Sequence, residues 1–236
     1  LGSRAVGGAG LIIAEATAVM PDGRITPGCA GIWNDQQAEA LKPITRHLES
    51  FGCVPGIQIG HAGRKASAAR PWDGGHHLKD DEGGWPIKSP SDIAFDGDST
   101  RLWKAPTAMS LDDIAHMQTA FVDAAKRSLA AGYKLLEIHG AHGYLLHSFF
   151  SPLVNKREDA YGGSPENRAR MMLETVAKVR DVWPENLPLA VRLSVVDWDE
   201  DEGLTIEDNI QMAKWLKDAG VDLVDCSSGG ANPSAR

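Results

Sequence analysis

The sequence predicts an α/β fold, a TIM (β/α)8 barrel of which five central strand–helix units are present. Three observations lead there. Five short apolar runs alternate with amphipathic helical segments, and no two strand runs stand side by side. Their nearly continuous apolar character suits parallel strands covered on both faces. No GxGxxG follows any of them, which removes the main sign of a doubly wound dinucleotide fold. Polar residues instead stand late in otherwise apolar strands: Glu15, Gln58, Glu137 with His139, Arg192 and Asp225. A barrel builds its site at those strand ends.

Taken in order, "LGSRAVGGAG" reads as the last turn of a helix, and "GLIIAEATAV" (10–19) is the first strand. A helix over 35–51 leads to the strand "VPGIQIGH" (54–61). From Ala62 to Met109 no helical pattern emerges, but Trp72, Trp85 and Trp103 predict a binding loop or lid over 62–109 rather than a solvated excursion. Ser110 caps a helix with Ile114, Met117, Phe121 and Ala124 on one face, stopping at Gly132. After the strand "KLLEIHG" (134–140), Ser164 and Pro165 open a helix with Met172, Val176 and Val179 at helical spacing. "LPLAVRLSV" (187–195) is the fourth strand. Thr205 opens a helix with Ile206, Ile210, Ala213 and Leu216 on its apolar face, closed by Gly220, and "VDLVDCSS" (221–228) is the last strand. Residues 1–236 read as a single domain. The start inside a helical turn without methionine, and the stop at "SSGGANPSAR", predict a fragment with both ends missing.

The 236 residues carry a net charge of −8 with both signs interspersed, which argues against a nucleic-acid or anionic-membrane surface and favours small-molecule chemistry. Cys29, Cys53 and Cys226 are far apart and form no CxxC, so neither a disulfide framework nor a zinc ribbon is expected; a reducing cytoplasm fits. No apolar run approaches bilayer length, and the first residues do not form a targeting signal.

In "LLEIHGAHGYLLHSFFSP" (135–152) an apolar strand runs into His139 and His142, set among glycines and followed by Tyr144. A metal site is one reading, although the HxxH lies in a turn and lacks the helical HExxH arrangement. Locally satisfied histidines are another. The favoured reading has two neutral imidazoles donating to a substrate oxygen, with Tyr144 near enough to move a proton. Gly140 and Gly143 then serve the tight turn and close ligand approach. Gln58, Glu137 and Arg192 need partners if buried. They can pair with one another, Glu137 with Arg192 for instance, or converge as donors on a planar ligand rich in carbonyl oxygens.

The stretches "EATAV" (15–19), "GIQIGHAGRK" (56–65), "EIHGAHGYLLHSFFSPLVNKREDAYGGSPENRAR" (137–170), "VRLSVVDW" (191–198) and "GVDLVDCSSGG" (220–230) resemble the Old Yellow Enzyme family. Within it the chain is similar to the xenobiotic-reductase branch with the thermostable-type ene-reductases, over essentially its whole length. The resemblance implies a cytoplasmic, oligomeric FMN enzyme with a barrel fold, using NADPH or NADH to reduce activated alkenes. It implies that Gln58 and Arg192 contact the flavin's pyrimidine edge and that the Ala16 backbone lies against the ring. His139 and His142 would bind the alkene's carbonyl oxygen, and Tyr144 would donate the proton. No metal is implied.

Against the family pattern, the first strand and the seventh and eighth, whose loops would hold the FMN phosphate, are not found, so the isolated chain is expected to bind FMN weakly. A dienoyl-CoA-reductase-like flavoenzyme, a metal-dependent barrel lyase or hydrolase using His139 and His142, and a non-catalytic fragment are the alternatives.

Overall fold

The computed structural model describes residues 1–95, 103–199 and 201–233. Five parallel strands stand in chain order: β1 (Leu11–Ala18), β2 (Val54–Gly60), β3 (Leu135–Gly140), β4 (Leu189–Ser194) and β5 (Leu223–Ser227). Consecutive strands paired in parallel, each pair joined by a helical crossover, make the wall of a (β/α) barrel.

Helices α1 (Gly2–Val6), α2 (Asp35–Ser50), α3 (Leu111–Ala130), α4 (Leu145–Phe150), α5 (Pro165–Arg180) and α6 (Ile206–Asp218) complete the chain. The expected caps form. Ser110, Ser164 and Thr205 each accept the amide of the residue three further on, and Asn34 does the same for α2. Ile114, Met117 and Phe121 of α3 and Met172, Val176 and Val179 of α5 are buried in the core with Ile57, Ile59, Leu136, Ile138 and Val191 from the strands. Phe121 is fully buried there, so Phe121→Ala should lower unfolding stability by about 3–5 kcal/mol in denaturant titrations. A loss below about 1 kcal/mol would show that the α3 interface is not part of the cooperative core.

Two expectations change. In α6 the buried residues are Asn209, Met212 and Leu216, while Ile206 and Ile210 are more than half exposed. Asn209 satisfies itself by donating to the Thr205 carbonyl at 3.1 Å, so a polar residue occupies the core stripe, and the predicted apolar face holds at Leu216 but fails at Ile206 and Ile210. Nor are the strands covered on both faces: Leu11, Ile13, Val54 and Leu223 are each at least 38% exposed. The helices pack on the convex side, and five strands do not curl far enough to fill their own concave side.

The long connection holds short 3-10 turns at Gly63–Lys65, Pro71–Asp73 and Asp80–Glu82, and a two-residue parallel pair of Lys88–Ser89 with Thr107–Ala108. Trp85 is tied in by its indole N–H to the Asp22 carbonyl at 3.0 Å, and Trp103 packs on His77 and Phe95. Trp72 is solvated, 80% exposed. Residues 96–102 of the expected lid lie outside the described residues.

Candidate active site

Strand register assembles the site. Gln58 stands opposite Glu137, His139 opposite Arg192, and Arg192 opposite Asp225. Registered residues of neighbouring parallel strands share a face, and so do Glu137 and His139 two apart on one strand. All five therefore project on the concave side, above the exposed apolar residues named earlier.

Glu137, 2% exposed, accepts from Gln58 Nε2 at 2.6 Å. That bond fixes the amide, leaving Gln58 Oε1 as an acceptor. Burial pushes the Glu137 carboxyl up, and the Gln58 hydrogen bond pulls it partly back. The ion pair considered between Glu137 and Arg192 does not form. Glu137 is level with Ala190, whereas Asp225 is level with Arg192, so the Arg192 Nε lies 3.2 Å from Asp225 Oδ2. The contact lacks hydrogen-bond alignment, and Nε has no hydrogen-bond partner among the described residues.

Ala16 occupies an irregularity in β1. Ala14 pairs with Ile57 and Thr17 with Ile59, so Glu15 and Ala16 together face Gln58 in the manner of a bulge. Ala16 lines a pocket at the strand ends with Gly60, His61, Cys29, His139 and Tyr144.

His139, His142 and Tyr144 come together as expected. The His139 ring lies 5.1 Å from that of His142 and 4.8 Å from that of Tyr144, edge to face in both cases. His139 Nδ1 accepts the Ala141 amide at 3.2 Å, which puts the ring proton on Nε2. His142 Nε2 is 2.5 Å from the Ser227 hydroxyl; with Ser227 donating, the proton sits on Nδ1. Burial first, then neighbouring cationic groups, push His139 down to about 3 and His142 down to about 4. Both rings are therefore neutral at neutral pH. Burial raises the Tyr144 phenol, whose hydroxyl makes no hydrogen bond among the described residues.

The loop carrying these rings is held from several sides. Ser194 Oγ accepts the His142 amide at 2.9 Å and donates to the Gly229 carbonyl at 2.7 Å. Lys65 Nζ donates to the His142 carbonyl at 2.7 Å and sits 4.2 Å from the Phe95 ring centroid. Burial and the Arg64 guanidinium push the Lys65 ammonium down to about 7. Gly143 has φ +71°, and a Cβ there would lie 2.0 Å from the Gly230 carbonyl oxygen. The close approach is thus to the loop after β5. A Cβ at Gly140 would meet the Met172 methyl of α5 at 2.8 Å and the Arg192 carbonyl oxygen at 3.0 Å.

Sequence reading missed Ser227, Ser194 and Lys65 as neighbours of His142. All three lie in segments that carry the family resemblance, yet only the packed loops show what they touch. Among the described residues no group of three or more His, Cys, Asp or Glu side chains could hold a metal ion.

Taken together, the strand ends gather two neutral imidazoles, a phenol and a guanidinium above a curved parallel sheet. The model of the NADH:flavin oxidoreductase / NADH oxidase family matches residues 1–232, and the chain belongs to that family. It is 47% identical over 227 residues to an NADPH dehydrogenase of Bacillus subtilis (strain 168), covering 96% of this chain and 61% of that protein. Among solved structures, an Old Yellow Enzyme homologue from Zymomonas mobilis superposes with a TM-score of 0.78 at 29% identity, covering 95% of this chain and 61% of the other. A 2-naphthoyl-CoA reductase in complex with 2-naphthoyl-CoA gives a TM-score of 0.86 at 28% identity, covering 100% of this chain and 35% of the other. The chain thus spans about three fifths of the length of the curated relatives it matches.

Proposed function

We propose that the full-length gene product is an FMN-dependent ene-reductase. It takes hydride from NADPH or NADH and passes it, through the flavin, to the β-carbon of an activated alkene: an enone, enal, maleimide or nitro compound. The observation that carries the reading is two neutral imidazoles packed edge to face beside a phenol whose hydroxyl makes no hydrogen bond among the described residues.

The concave face suits a flavin ring. Gln58 Oε1 is left as an acceptor, Arg192 Nε lacks a hydrogen-bond partner among the described residues, and the small Ala16 sits where the strand pairing opens. When bound, FMN supplies the hydride chemistry. Gln58 and Arg192 would hold its polar edge, and the guanidinium would supply the positive charge that favours a more negative ring. His139 and His142 donate to the oxygen of the alkene's activating group and stabilise the charge that develops there. Tyr144 delivers its phenolic proton to the α-carbon.

Arg192→Met should weaken FMN affinity by about tenfold or more, or lower the flavin's reduction potential, since a charge-assisted hydrogen bond is lost. Fluorescence titration and potentiometry read both quantities. A variant with normal affinity and normal potential would remove Arg192 from the cofactor site.

A second reading, an acyl-CoA thioester as substrate, draws on the likeness to the 2-naphthoyl-CoA reductase. Turnover of an enoyl-CoA or dienoyl-CoA thioester well above that of cyclohexenone would favour it. The reading includes a cytoplasmic homo-oligomer, a dimer or tetramer, with neither nucleic acid nor membrane as a partner. No helix among the described residues is long and apolar enough to cross a membrane.

A further inference from the structure

Behind the proposed site lies a buried polar chain that touches none of the ligand-facing atoms. His147 of α4 is 1% exposed, and its Nδ1 accepts the Gly143 amide at 2.8 Å. One residue further on, Ser148 Oγ donates to the Gly143 carbonyl at 3.0 Å. Both polar groups of Gly143 are thus gripped from α4. On its far side, His147 Nε2 lies 3.0 Å from Asp197 Oδ1, an ion-pair distance without hydrogen-bond alignment. Asp197 is fully buried in the loop after β4, where Oδ2 accepts the Ser151 hydroxyl at 2.6 Å and the Leu204 amide at 3.2 Å.

Gly143 is the residue between His142 and Tyr144. His142 itself has φ +59°, and Gly143 follows at +71°, so two left-handed residues in succession set where the imidazole and phenol emerge. Such a conformation persists only where its surroundings over-determine it. Gly230 presses on it from outside, because a Cβ there would lie 2.4 Å from the His142 carbonyl carbon. His147 holds it from inside.

We propose that His147 is a positioning residue for alkene reduction: by gripping the Gly143 amide it fixes the spacing of His142 and Tyr144, and Asp197 anchors that grip to the loop after β4. The inference rests on the ene-reductase reading. His147 meets no substrate, so its effect passes wholly through the left-handed turn.

The test uses the full-length gene product loaded with FMN and compares His147→Leu with His147→Asn. Leucine offers no acceptor. Asparagine places Oδ1 near the position of Nδ1 and can keep the Gly143 hydrogen bond. The leucine variant should lose about tenfold or more in affinity for a phenol such as p-hydroxybenzaldehyde. Its alkene half-reaction should slow by roughly 10²-fold, the scale that a misplacement of about 1 Å produces. FMN content should be unchanged, because Gln58 and Arg192 lie on other strands. The asparagine variant should recover most of both losses.

Amide hydrogen exchange at Gly143, followed without FMN, gives a readout apart from activity: it should speed up in the leucine variant and return toward the original rate in the asparagine one. Should leucine prevent folding, Ser148→Ala releases the carbonyl of the same residue, in the next peptide unit, and should move phenol affinity in the same direction. Unchanged phenol affinity and alkene rate in His147→Leu would overturn the inference. So would a loss of melting temperature and FMN content with no separate loss of phenol affinity. An unmodified protein that neither binds FMN nor reduces cyclohexenone would instead defeat the functional reading, and the Gly143 exchange rates would still report on the grip.

Discussion

Tyr144→Phe should slow alkene reduction by about 10²-fold or more, the usual contribution of a positioned general acid, while flavin reduction by the nicotinamide stays near its original rate. The phenol is the one group of the cluster with a proton to give to carbon: both imidazoles are neutral and pushed down to about 3 and 4. Its hydroxyl makes no hydrogen bond among the described residues, so none of them competes with the alkene for that proton. Phenylalanine keeps the ring that packs 4.8 Å from His139 and removes only the hydroxyl. Stopped-flow absorbance follows the two half-reactions separately. Equal slowing of both would take Tyr144 out of the proton-donor role and make it a packing residue.

His139→Ala or His142→Ala should weaken binding of a phenol that mimics the enolate by about 10- to 100-fold each, the worth of a hydrogen bond to a charged oxygen. Alkene turnover should fall further, by about 10²-fold, since the donors matter most where charge develops. Because burial already keeps both rings neutral, the phenol's affinity should follow its own ionisation, with no inflection near the ordinary imidazole value of about 6.5. Titration of the phenol's long-wavelength band against pH gives both results. Unchanged affinity in either variant would count against that residue as an oxygen donor, and an inflection near pH 6.5 would show that the rings titrate in the site.

Much of the fold was legible because each of its signals is local. A strand running through a wall is apolar at nearly every position, and each of the five predicted strands lies within two residues of its observed ends. Ser110, Ser164 and Thr205 announce helix starts by a short-range hydrogen bond that sequence alone can express. The α6 face was partly misread because Asn209 meets its own hydrogen-bonding need locally and so sits where an apolar residue is expected.

The site divides along the same line. His139, His142 and Tyr144 lie within six residues of chain, so their meeting follows from one turn. Pairings between strands depend on register, which apolar runs do not fix. Hence Glu137 belongs with Gln58 and Arg192 with Asp225, where sequence reading allowed Glu137 with Arg192. Gly140 looked like a ligand-facing glycine, and a Cβ there would meet Met172 on α5, a contact set by how helix and strand dock. Ser227, Lys65 and Asp197 reach the histidine loop from distant parts of the chain, and no spacing in the sequence records that approach.

The most direct measurement is the visible absorption spectrum of the purified full-length gene product supplied with FMN. A protein-bound flavin spectrum that NADPH bleaches and cyclohexenone restores is the expected result. A colourless protein that ignores added FMN would contradict it, and metal analysis with attention to His139 and His142 would follow.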